Sequence, residues 1–220
     1  MLSNDVTRGE VIDALLLTPK SRLIAPVRVW RRGPEDFLLL TEPELGEVVR
    51  TQLLRARFSS KCEIELEEHT STVVFGKAEG LPGEVPGTVE VLDAGVEPTM
   101  EAGELERARI EAGVPAWGKE LDETILPAEA GLDETHISFT KGCYPGQEPI
   151  ARLHNRGHVN RRLRVLEVEA AQPGDEIHAD GKAVGRVTSA VRRVALGYVR
   201  VEVPMGAPVE IGGIGARLLQ

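Results

Sequence analysis

The feature that most constrains the fold lies in the last third of the chain. Apolar runs at Leu163–Val168, Ala183–Ala190, Ala195–Val201 and Pro208–Leu218 are separated by Pro173-Gly174-Asp175, Asp180-Gly181 and Gly212-Gly213. Runs this short, cut by turn residues that tolerate positive φ, read as the strands of an all-β module. A module of about 60 residues closes most simply into a small barrel, because closure leaves no open sheet edge.

Upstream the character changes. Val11–Leu17, Leu23–Trp30 and Phe37–Leu40 predict strands, and Pro43 opens a helix with Leu45, Val48, Val49 and Leu53 at helical spacing. Cys62–Leu66 alternates polar with apolar and predicts a strand whose acidic face, within Glu63–Glu68, is solvated; Thr72–Phe75 predicts another. Residues 79–100 are rich in Gly, Pro and acids and read as a long connection with one strand, Thr88–Leu92. Glu101–Ala112 predicts a helix closed by Gly113 and Pro115. Residues 116–146 are turn-rich and irregular, a length of loop that is often functional. The pattern is α+β, without the regular βαβ alternation of a nucleotide-binding sheet. A boundary near Asn155–Asn160 divides an α+β portion, 1–157, from a barrel, 158–220.

Composition narrows the class. With 41% hydrophobic and 28% charged residues the chain reads as globular. No apolar run approaches the roughly 18–20 residues of a membrane span. The opening Met1-Leu2-Ser3-Asn4-Asp5 lacks the basic and apolar regions of a signal peptide, so a cytoplasmic address is expected. Cys62 and Cys143 are too few for a disulfide framework and are expected as free thiols. They make no zinc site alone, and the five histidines show no ligand spacing, so no metal is expected. His154 and His158 stand four apart, but Gly157 and the Pro-rich approach argue against a helix that would align them.

The net charge of −9 disfavours nonspecific nucleic-acid binding, yet the charge is uneven. Lys141, Arg152, Arg156, Arg161, Arg162 and Arg164 face one acid, Glu148, within residues 141–164, a local +5 that leaves −14 for the rest. This segment is either a solvated basic loop or a docking surface for a carboxylate or phosphate. A direct RNA-binding role would need stacking aromatics among the basic residues, and only Tyr144 is present.

Within Lys141-Gly142-Cys143-Tyr144-Pro145-Gly146-Gln147-Glu148, Pro145-Gly146 suits the centre of a type II turn, which would gather Cys143, Tyr144, Gln147 and Glu148. Cys143 is then either a reactive thiol in basic surroundings or a small buried hydrophobe in a tight turn. Glu111 ends the helix over 101–112. It is either an exposed carboxylate paired with Arg107, or an acceptor for two parallel hydrogen bonds from an amino-pyrimidinone edge. Trp30 and Trp117 read as core or pocket-wall residues.

The run Ile137–Glu148, with Ala151-Arg152 and Arg156-Gly157, resembles the signature of YgfZ-type folate-binding proteins, within the superfamily of the glycine-cleavage T-protein, an aminomethyltransferase. Arg109–Gly113 with Gly118, Leu126–Leu132, Leu15–Arg22, Gly185–Ala190 and Ala195–Val199 resemble further superfamily segments, so the likeness spans nearly the whole chain. It implies ferredoxin-like α+β subdomains around a central folate pocket, with a small C-terminal β-barrel. It also implies tetrahydrofolate, or a one-carbon derivative, as cofactor. Its contacts would be Glu111 on the pterin ring, with Lys141, Tyr144 and Arg152, and with the glutamate tail near the basic segment. Cys143 matches the signature cysteine. The implied role is an accessory one in iron–sulfur protein assembly or repair, and through it in tRNA modification. Partners would be iron–sulfur proteins or assembly factors, with no membrane.

Two departures from the family pattern stand out. Where the T-protein branch carries an acidic pair for one-carbon transfer, this chain has Ala25 and Pro26, which cannot move a proton. Aminomethyl transfer, or a demethylation onto tetrahydrofolate, is therefore the rival reading. The match also begins inside the family's first domain, so an opening strand–helix segment is expected to be missing, most simply through a misassigned start.

Overall fold

The computed structural model describes residues 1–58 and 60–219. They group into two compact units, Met1–Glu68 with Leu121–His158, and His69–Glu120 with the residues from Val159 on.

In the first unit, strands β1 (Val11–Leu17), β2 (Leu23–Arg31) and β3 (Phe37–Leu40) form an antiparallel meander in the order β1-β2-β3. Ala14, Leu15, Leu16 and Leu17 of β1 are buried, as are Leu23, Ala25, Val27 and Val29 at alternate positions of β2. Pro26 interrupts β2 where only β1 pairs with it, because β3 pairs no further back than Arg28. A proline is tolerated at such an edge position. A 3₁₀ turn at Pro43–Leu45 leads into helix α1 (Gly46–Ala56), which packs on β2 with Leu45 and Val49 buried. Val48 faces out.

The strand expected at Cys62–Leu66 does not form. These residues have no regular structure and are mostly exposed. They are held instead by Arg50 Nε on the Ile64 carbonyl (3.2 Å), by Arg57 on the Cys62 carbonyl (2.9 Å), and by Arg32 on Glu67. An alternating pattern makes a strand only where a neighbour pairs with it.

The second unit contains a three-stranded sheet, order β4-β6-β5, from β4 (Ser71–Phe75), β5 (Leu81–Pro82) and β6 (Thr88–Leu92), and helix α2 (Ala102–Glu111). It also contains β7 (Arg161–Val168), β8 (Glu176–Ala179), β9 (Lys182–Val191), β10 (Val194–Arg200), β11 (Pro208–Ile211) and β12 (Ile214–Leu218), closed in the order β10-β7-β12-β11-β8-β9. Strand β8, only four residues long, is absent from the sequence expectation. Leu166, Ile177, Val187, Val199, Ile211 and Leu218 fill the barrel. Six consecutive residues of β10 are buried because Ile110 of α2 covers Val165, Val194 and Leu196 outside the barrel. Residues 69–120, placed by sequence with the α+β portion, therefore group with the barrel. At Gly197 β9 comes so close that a Cβ would stand 2.6 Å from the Arg186 carbonyl oxygen.

Candidate functional site

The signature of the first unit is built on two interlocked turns. Tyr144-Pro145-Gly146-Gln147 is a type II turn: Gly146 has φ 82° and ψ 1°, and the Gln147 N–H donates to the Tyr144 carbonyl. Against it lies the β1–β2 turn, closed by Ser21 N–H on the Thr18 carbonyl, with Ser21 itself at φ 62°. The buried Ser21 hydroxyl donates to the Gly146 carbonyl at 2.7 Å. A Cβ at Gly146 would stand 2.7 Å from the Thr18 carbonyl oxygen, so this position requires glycine for both φ and space.

Gly146 opens helix α3 (Gln147–Arg156). The expectation of no helix here is corrected. Pro149 falls in the first turn, where its missing N–H has no partner to lose, and Gly157 ends the helix in an extended conformation. His158 therefore lies beyond the helix end, and the His154 ring stacks on Phe139 with centroids 4.0 Å apart. Ile150 is buried beneath α3, while Glu148, Arg152 and Arg156 are exposed.

Between α3 and the β1–β2 turn lies a cleft of about 650 Å³, lined by Pro19, Tyr144, Gln147, Glu148, Arg152 and Arg156 among others. This is the size of a small-molecule site. Arg152 reaches Glu148 at 3.3 Å with both side chains largely exposed, a pair worth little in water. Tyr144 is only 6% exposed, and its hydroxyl has no hydrogen-bond partner among the described residues. Burial pushes its phenol pKa up.

Lys141 is occupied elsewhere. Its ammonium donates to the carbonyls of Leu2 (2.7 Å) and Asn4 (2.9 Å) and stands 5.8 Å from the centre of the Tyr144 ring. Desolvation lowers its pKa. Lys141 thus ties the signature to the segment that Ser3 fixes between Leu15 and Ser138. Gly142 and Cys143 are exposed beside it, and the alternative of a buried cysteine is excluded. Ala25 is completely buried.

Glu111 belongs to the second unit. It is 44% exposed and accepts from Arg107 Nε at 2.7 Å, the pairing that its spacing predicted. One turn away lies a buried network that sequence reasoning missed. Arg109 donates to Glu120 (2.8 Å), Ser189 (2.9 Å) and both oxygens of Glu106, while Ser189 donates to Glu120 at 2.6 Å. The Tyr198 hydroxyl donates to the Glu120 carbonyl at 2.8 Å. Glu120 is 1% exposed, so these partners offset the cost of burying its charge. The Arg109 guanidinium, assisted by Lys119, holds the Glu106 carboxyl down to about 2. Nothing local marks Glu120 as buried; the groups that satisfy it are up to 78 residues away.

Trp30 and Trp117 are half-buried. No helix among the described residues is long and apolar enough to cross a membrane.

Comparison with known proteins adds five findings. Residues 160–219 match a family described as the CAF17 C-terminal beta-barrel domain. A putative chloroplastic transferase of Arabidopsis thaliana is 39% identical over 115 residues, covering 49% of this chain and 26% of that protein. An uncharacterised protein of Haemophilus influenzae is 27% identical over 213 residues (86% and 75%), and the mitochondrial iron–sulfur cluster assembly factor IBA57 of Mus musculus is 31% identical over 122 residues (50% and 34%). The matches thus span about a quarter of the plant protein and a third of the mouse one. Among solved structures, the glycine cleavage system aminomethyltransferase T of Bartonella henselae superposes with a TM-score of 0.78 at 17% identity, covering all of this chain and 78% of that one, which shows a shared fold.

Proposed function

We propose that this chain is a T-protein-like protein of the YgfZ type, which binds a reduced folate and serves iron–sulfur proteins rather than catalysing aminomethyl transfer. The observation that carries this reading is the α3 cleft. Its lining includes Arg152 and Arg156, two guanidinium groups that fit a carboxylate-bearing ligand. Arg152 and Tyr144 contact the ligand in this reading, and Lys141 acts indirectly, by holding the signature in place. Glu111 keeps the pterin role that the family likeness gives it, which would require its exchange from Arg107. When bound, the folate supplies an acceptor or donor for a one-carbon unit.

The accessory role follows the likeness to the assembly factor, with iron–sulfur enzymes or their assembly factors as partners and tRNA modification as a consequence. Cys143, exposed beside the cleft helix, is the thiol offered to such a partner. A single cysteine leaves a cluster's other ligands to the partner. Two exposed free thiols suit a reducing, cytoplasmic setting.

Calorimetric titration with tetrahydrofolate tests the proposal. The expected Kd is about 1 μM, or roughly −8 kcal/mol. Arg152→Ala and Glu111→Ala should each weaken it by about 1–3 kcal/mol. Absence of binding at a hundredfold higher concentration would overturn the folate reading, and unchanged affinity in one variant would remove that residue from the site.

A further inference from the structure

The three-stranded sheet of the second unit has two unlike edges. Strand β5 is only Leu81–Pro82, and Pro82 has no N–H to offer, so this edge is blunted. Strand β4, Ser71–Phe75, is the other edge. It carries no proline and no charged residue, the usual guards of an open edge. Its ladder to β6 has a defined parity. The Gly76 N–H donates to the Gly87 carbonyl and the Asp93 N–H to the Thr70 carbonyl, so Thr72 and Val74 turn their backbone groups toward β6. Ser71, Val73 and Phe75 turn theirs to the open side, where they make no hydrogen bond among the described residues. The Val73 and Phe75 residues are exposed as well, at 36% and 43%. The free edge of β1 is managed differently: Ser3 bonds Leu15 through its backbone and hydroxyl, and Asn4 donates to the Asp13 carbonyl.

We propose that β4 is a dimerisation edge, pairing antiparallel with β4 of a second copy of this chain about a two-fold axis at Val73 and joining the two three-stranded sheets into one. The occupant follows from the strand itself. With Val73 opposite Val73 of the second copy, Ser71 stands opposite Phe75, and each such pair exchanges both of its N–H···O bonds. Every outward group of both strands is then satisfied, whereas a slip by two residues leaves one outward residue of each copy unpaired. Charge agrees with this pairing. Lys77 lies just past the end of β4; Glu68 and His69, the latter held by Asp93, lie just before its start. Antiparallel pairing brings each lysine toward the acidic end of the other copy, and parallel pairing would bring like ends together. A two-fold contact uses one edge of each copy, and the other edge is blunted by Pro82, so association stops at the dimer. A ladder this short buries less than the roughly 800 Å² per partner of a stable complex, so the dissociation constant is expected at about 100 μM.

Sedimentation velocity of the full chain, from about 10 μM to about 1 mM, brackets that constant and should show a monomer giving way to a dimer. Val73→Lys sets two cations opposite each other at the axis and should weaken the dimer about tenfold or more. Its lysine stands beside Glu90 of its own sheet, so the thermal midpoint of the monomer should be unchanged. Val73→Pro removes an outward N–H and no bond to β6, and should weaken the dimer likewise. A monomer at the highest concentration, an assembly larger than a dimer, or variants that associate as the wild type does would overturn the proposal. Register is read in a Cys62→Ser, Cys143→Ser background with oxidised glutathione as the oxidant. Val73→Cys sets the two Cα atoms about 5.5 Å apart, within disulfide reach, and should cross-link. Ser71→Cys sets them about 13 Å apart and should not, yet it should cross-link when mixed with Phe75→Cys. Equal cross-linking of Val73→Cys and Ser71→Cys would show random collision and overturn the ladder.

Discussion

Gly146 concentrates more of the site's geometry than any other residue of the signature. It turns the chain with a left-handed conformation, opens α3, and accepts the Ser21 hydroxyl. Gly146→Ala is expected to cost about 1–2 kcal/mol from backbone strain alone, with more from the Cβ pressed on the Thr18 carbonyl. Urea denaturation measures the loss, and an unchanged midpoint would contradict the interlocked turns. The two thiols allow a second check. Both are exposed, but Cys143 lies between Lys141 and the arginines of α3, and Cys62 lies among Glu63, Glu65 and Glu67. Both should be alkylated without unfolding. The rate ratio of anionic iodoacetate to neutral iodoacetamide should be higher at Cys143, since positive potential concentrates the anion. Peptide mass spectrometry reads the ratio, and an equal or reversed ratio would show that the basic segment exerts no field at this thiol.

Among the elements, α2 is the one held most by charge. Glu106 is kept at about 2 against an ordinary 4.5, chiefly by its hydrogen bonds from Arg109. A depressed carboxyl contributes stability that is fully present above 4.5 and is lost as pH falls toward 2. The stability difference between the wild type and Glu106→Gln is therefore expected to be constant from pH 7 to about 5 and to shrink between pH 4.5 and 2. Chemical denaturation across that range measures it, and a difference independent of pH would mean that Glu106 is not ionically coupled to Arg109. Helix α3 teaches a different lesson. Its boundaries are a glycine on each side, and it carries a proline near its start, so propensity argued for a loop. Placement of Pro149 in the first turn removes that objection, and burial of Ile150 supplies what propensity lacks.

At the scale of the whole chain, the fold is that of an aminomethyltransferase while the acidic pair expected for transfer is Ala25 and Pro26. A reconstituted glycine-cleavage assay is expected to show no turnover above background, since neither residue can move a proton. Robust turnover would restore the enzymatic reading. The sequence by itself determined the elements whose signal is local. Strands β1, β2 and β3, helix α2 and most barrel strands follow from runs of apolar residues and the turn residues between them. The type II turn was legible in the same way, because Pro and Gly fix φ within their own residues.

Tertiary structure alone decided what depends on distant partners. Cys62–Leu66 alternates as a strand should and stays irregular, because no neighbour offers it a ladder. Glu120 reads as one surface acid among thirty-five Asp and Glu residues, yet it is buried because Arg109, Ser189 and Tyr198 converge on it. Lys141 reads as a ligand contact, yet its ammonium is taken up by Leu2 and Asn4. Backbone preference is set by each residue and its immediate neighbours, so it can be read along the chain. The partner of a charge is chosen by burial and by the groups folding brings within hydrogen-bond reach, and these exist only once the chain has folded.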